Sequence, residues 1–126
     1  DGSDVTIVAT GMMVQMALQA AEALAGEGIS ARVLDFHTIK PLDEELLTRA
    51  ARETGAIVTT EEANILGGLG AAVCECLAET CPVPVVRHGV RDEFGRSGAA
   101  KKVLAAYGLT AEAIADAARR AIAKKG

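Results

Sequence analysis

The sequence predicts an α/β fold in which a mainly parallel sheet lies between layers of helices. Three observations predict it. Apolar, β-branched runs of strand length alternate four times with segments of helical periodicity, an order that calls for a parallel sheet with helices on both faces and right-handed crossovers. Half of the 126 residues are hydrophobic but only 2% are aromatic (Phe36, Phe94 and Tyr107), so the core must be built from Ala, Val, Ile and Leu, which suit tight packing of helices on a sheet. Finally, Ile57 to Val73, IVTTEEANILGGLGAAV, runs from a β-branched stretch through two carboxylates and a glycine turn into a small-residue helix. The length is that of one domain.

The elements follow in order. Val5 to Ala9 (VTIVA) reads as the first strand. Met13 to Ala25 reads as a helix with the apolar stripe Met13, Met16, Leu18, Ala21 and Leu24, closed by Gly26 and Gly28. Ala31 to Phe36 is the second strand, and after the turn at Lys40-Pro41 Asp43 is a good N-cap, with Glu44 and Glu45 in the first turn of a helix that Gly55 stops. Ala56 to Thr60 is the third strand, and a helix starts at Leu69 or Gly70 and reaches about Glu79. Cys81-Pro82-Val83-Pro84 connects to a fourth strand, Val85 to Val90, whose prolines stand at its start, where a missing N–H is tolerated. A polar loop from Arg91 to Gly98 leads to a helix ending at Tyr107-Gly108, and Thr110, with Ala113 in place of the acidic partner of a capping box, starts a last helix to about Lys124.

Composition narrows the function. A net charge of −4 and the scarcity of aromatics argue against a nucleic-acid surface. Arg119, Arg120, Lys124 and Lys125 fall in the last turns of a helix, where they oppose its macrodipole. No apolar run approaches the roughly 18 residues of a bilayer span, and no leader-like segment precedes the first strand. With three cysteines, an odd number, the expectation is a soluble chain of the reducing cytoplasm. Cys74 and Cys81 share a helix face while Cys76 points about 200° away from Cys74, and His37 and His88 lie on other elements, so no metal site is expected. The opening Asp-Gly-Ser-Asp, without methionine, suggests a piece of something longer.

With the strands in the order 2-1-3-4, the switch point where ligands collect lies between Thr10-Gly11-Met12 and the Glu61 to Gly70 segment. The Gly67 to Gly70 turn offers N–H groups at a helix N-terminus, so a free-standing nucleotide- or anion-binding module is one reading. Against it, Val73 replaces the third glycine of the dinucleotide fingerprint, and Glu61-Glu62 would repel a pyrophosphate. Adjacent strand residues point to opposite faces, so one of the two glutamates is expected to be buried against an arginine such as Arg91 or Arg96 and the other solvated. No Gly-x-Ser-x-Gly elbow is present, and Ser97 reads as a turn residue or an N-cap. Neither catalytic nor cofactor-binding residues are expected.

Four ordered motifs and a fifth run resemble one family. VTIVATG at Val5 to Gly11, HTIKPLDEE at His37 to Glu45, EEANILGGLGAAV at Glu61 to Val73 and DEFGRSG at Asp92 to Gly98, with YGLTAEAI at Tyr107 to Ile114, together resemble the carboxy-terminal domain of transketolases. The resemblance is closest to two-chain transketolases, in which this domain ends the shorter chain. Similar domains close the β chain of 2-oxo acid dehydrogenase E1 components and 1-deoxyxylulose-5-phosphate synthase.

The resemblance implies a three-layer α/β/α domain whose sheet usually has five strands, the first antiparallel and contributed by residues before this segment. The edge of the Ala31 to Phe36 strand is then expected to be exposed, an association liability. It implies an enzyme that moves two-carbon ketol units between sugar phosphates with thiamine diphosphate and a divalent metal (Mg). Those groups are held in the preceding pyrimidine-binding and diphosphate-binding domains; the Gly-Asp-Gly motif for the metal-diphosphate is absent here. The domain alone is therefore expected to be inactive and to serve assembly, as part of a homodimer or a two-chain complex. The motif match carries an interface role to Glu61, Glu62, Asn64, Gly67, Gly68, Gly70, Asp92, Phe94, Gly95, Arg96, Ser97 and Gly98. One departure bears on that interface: two-chain relatives commonly have histidine where this chain has Ala63.

Overall fold

Four strands and four helices alternate along the chain in a computed structural model that describes residues 3–10, 13–36, 43–62, 69–90 and 100–125. They are β1 (Val5–Ala9), α1 (Met13–Ala25), β2 (Ala31–Asp35), α2 (Glu44–Thr54), β3 (Ile57–Glu62), α3 (Leu69–Thr80), β4 (Val85–Val90) and α4 (Ala100–Ala123). The sheet has the order β2-β1-β3-β4, and every pairing in it is parallel. Strand parity sorts the core into two layers. Val5, Ile7, Ala9, Val58 and Val86 pack with α1 and α4, through Leu24, Ala20, Ile114 and Ala118. Val8 and Ile57 pack with α2 and α3, through Leu47, Leu69, Val73 and Leu77. The small residues of α1 and α4 let these two helices lie against each other as well as on the sheet.

The helix ends show why the segments stop where they do. Asp43 accepts a hydrogen bond from Leu46 N at 3.0 Å, capping α2. Gly55 follows its last turn at φ 75° and donates to Ala51 O, a left-handed conformation that costs an L side chain energy. Past α1, Gly28 (φ 81°) donates to Ala25 O and Ile29 to Leu24 O, the paired bonds of a Schellman motif.

β2 stops one residue before Phe36 and β3 starts one residue after Ala56, and two differences from the sequence reading are larger. The third strand continues through Glu61 and Glu62, which pair with Gly89 and Val90 of β4. The two helices expected on either side of Gly108 are a single helix, α4. A glycine ends a helix only when it takes the left-handed conformation; inside one it costs about 1 kcal/mol relative to alanine, which the apolar face of Ile114, Ala117, Ala118 and Ala121 offsets. No helix among the described residues is long and apolar enough to cross a membrane.

Candidate functional site

In a parallel sheet of this order the chain reverses its direction of winding between β1 and β3, and the crevice at their carboxyl ends is where such folds collect ligands and partners. Polar groups concentrate there. Glu61 lies near the end of β3 on the α3 side of the sheet and is only 7% exposed. Its carboxylate is two-pronged: Oε1 accepts from Leu69 N at 3.1 Å and Oε2 from Gly70 N at 3.0 Å. Both donors belong to the first turn of α3, where N–H groups lack partners within the helix and the macrodipole favours negative charge.

Close approach of α3 to the sheet makes this reach possible. A Cβ on Gly70 would stand 3.2 Å from Thr59 Oγ1, 3.2 Å from Arg87 Cγ and 2.5 Å from Arg87 Nε. Thr59 and Arg87 are register partners on β3 and β4. The stem of Arg87 therefore lies across the bare backbone of Gly70. The hydroxyls of Thr10, just past β1, and Thr59 are buried and have no hydrogen-bond partner among the described residues.

The other face of the same strand ends carries His88. Its Nδ1 lies 2.9 Å from Thr60 Oγ1. Burial between β4 and α4, and secondarily the Arg120 guanidinium, hold the imidazole below its ordinary pKa of 6.5.

The parity argument placed one of the two glutamates inside, and Glu61 is the one. Among the described residues its partners are the two α3 amides; Arg91 and Arg96, the arginines expected beside it, lie outside the described residues. Gly70 is brought against Thr59 and Arg87, whereas Asn64, Gly67, Gly68, Ala63, Arg91, Asp92, Phe94, Gly95, Arg96, Ser97, Gly98 and the side chain of Glu62 lie outside the described residues. Arg87 and the Thr60–His88 pair went unnoticed in the sequence. Period-two alternation along VVRHGV puts Arg87 on the α3 face and His88 on the α4 face, the signal that finds them.

This arrangement does not fit a diphosphate. The Leu69 and Gly70 amides, which would cradle a phosphate oxygen, are taken by a buried carboxylate of the same sign of charge. An open depression of about 660 Å³ beside α2, lined by Glu44, Glu45, Thr48, Arg49, Arg52 and Thr80, carries both charges and does not include the buried carboxylate.

Comparison with known proteins places the chain. The family model described as transketolase, C-terminal domain, matches residues 1–114. The 6-deoxy-6-sulfo-D-fructose transketolase subunit of Clostridium sp. (strain MSTE9) is 54% identical over 125 residues, 99% of this chain and 39% of that one. The 1-deoxy-D-xylulose-5-phosphate synthase of Syntrophotalea carbinolica is 48% identical over 94% of this chain and 19% of its own length. A solved structure of a split-gene transketolase, an inactive beta4 tetramer, superposes with a TM-score of 0.85 at 50% identity, covering all of this chain and 41% of that one. The chain thus spans about two fifths of that transketolase subunit and of the split-gene transketolase, and about one fifth of the synthase.

Proposed function

Because the chain belongs to the transketolase C-terminal domain family, we propose that it is the assembly domain of a thiamine-diphosphate-dependent transketolase. The parent enzyme would transfer two-carbon ketol units between sugar phosphates. In this reading residues 1–126 form one domain of a longer chain. The pyrimidine-binding and diphosphate-binding domains beside it hold the cofactor and its Mg, and the whole works as a homodimer or a two-chain complex in the cytoplasm. The observation that carries it is the 54% identity, over nearly the whole chain, to a transketolase subunit much longer than this segment.

The docking surface in this reading is the strand-end face: Glu61, Glu62, Asn64, Gly67, Gly68, Gly70 and the Asp92 to Gly98 loop. Ala63, which replaces a common histidine, subtracts one polar contact from it. The carboxylate on the α3 amides supports docking over phosphate binding. The identity to a 1-deoxy-D-xylulose-5-phosphate synthase favours a second reading, in which the same domain closes that enzyme; a 2-oxo acid dehydrogenase E1 β chain would use it in the same way.

Calorimetry of the 126-residue chain with thiamine diphosphate and Mg, NAD and ATP tests the proposal. No heat of binding is expected from any of them, and ketol transfer is expected only when the other domains are supplied. Micromolar binding of NAD or ATP would favour the anion-module reading and overturn this one.

A further inference from the structure

The feature least explained by a docking role is the burial of Glu61. A carboxylate meant to touch a neighbouring domain gains nothing from being 7% exposed and turned inward to its own chain. Burying it costs several kcal/mol in general unless hydrogen bonds compensate, and here the compensation comes from two N–H groups of one helix end. Those donors are also special in position. Glu61 is held on β3 by its register with Gly89 of β4, and the chain leaves the strand after Glu62 and re-enters described structure at Leu69. One side chain therefore ties together the two sides of the 63–68 connection.

Gly70 eases the tie. A Cβ there would stand 3.2 Å from Thr59 Oγ1 and 2.5–3.2 Å from the Arg87 side chain, so the bare backbone lets the first turn of α3 come down to the carboxylate without displacing either. Leu69 beside it is fully buried in the α2–α3 layer, which fixes that turn from the other side.

We infer that Glu61 is a positioning residue for assembly: it acts as a clamp that sets the spacing between the end of β3 and the start of α3, on which docking through the strand-end face depends. The inference rests on the assembly role proposed above and reassigns Glu61 within it, from contact to support.

The test uses the parent enzyme containing this domain, in four forms: unaltered, Glu61→Gln, Glu61→Asp and Leu24→Ala. Leu24 is buried in the α1–α4 layer, on the other side of the sheet, and its truncation serves as a control for stability loss alone. In Glu61→Gln one end of the side chain presents NH₂ to a backbone N–H, so one charge-assisted bond is lost and its donor is orphaned. Assembly measured by sedimentation is expected to weaken about tenfold or more, with faster hydrogen exchange at the Leu69 and Gly70 amides. Glu61→Asp keeps the charge and is expected to recover part of both. The inference is overturned if Glu61→Gln assembles like the unaltered enzyme while its amides exchange faster. It is equally overturned if Leu24→Ala, at matched thermal stability, loses as much assembly. Failure of the unaltered enzyme to assemble through this domain would instead overturn the assembly role itself.

Discussion

Burial lowers the pKa of His88. Its imidazole is half-buried beside α4, near Arg120, and both factors disfavour the charged form. The unfolded chain then takes up the proton first, so stability is full above about pH 6.5 and falls as pH drops through the lowered folded value. Urea unfolding followed from pH 7.5 to 5 is expected to show this decline. The slope is expected to flatten in His88→Asn, whose amide can still meet the Thr60 hydroxyl; an unchanged slope in that variant would remove His88 as the cause. Neither this pair nor the Glu61 clamp was readable in full. Alternation put one glutamate inside, which is a matter of strand geometry. The identity of its partner depends on which backbone returns eight and nine positions later, and nothing in residue type announces that. Charge alone points to an arginine, and a helix end, which also carries positive partial charge, is not legible as a partner.

Among the elements, those with chemically distinct ends were legible. The Met13 to Ala25 helix and the strands Val5 to Ala9 and Val85 to Val90 match their sequence limits, and α2 begins after Asp43 and stops at Gly55 as its capping residues indicate. Gly108 misled because the sequence offers glycine without its φ angle. Opposite substitution effects follow at the two glycines. Gly55→Ala, forced to φ 75°, is expected to cost about 1–2 kcal/mol. Gly108→Ala, inside a continuous α4, is expected to raise stability by up to about 1 kcal/mol. Thermal unfolding of the two variants checks both signs, and a loss in Gly108→Ala would mean that the helix is broken there after all.

At the level of the whole molecule, the alternation of four strands with helices was enough to specify the layers and the parallel sheet, because short connections and right-handed crossovers leave few alternatives. The proposed docking face was less legible, since what it would meet is not written in this chain and most of its residues lie outside the described ones. The described sheet ends in β2 on one side and β4 on the other. An unpaired parallel edge is a template for association, which charged residues such as Arg32 and the exposed Asp35 oppose. Asp35→Val is therefore expected to associate at lower concentration than the unaltered chain in sedimentation velocity; coincident profiles would show that the edge is protected by other means. The sheet order also has a consequence for synthesis. β1 lies inside the sheet, flanked by β2 and β3, yet it is made before either. As the chain leaves the ribosome, Val5 to Ala9 has no ladder partner until Ala31 and then Ile57 have emerged. Such non-local pairing slows folding and leaves an apolar strand open to chaperones meanwhile.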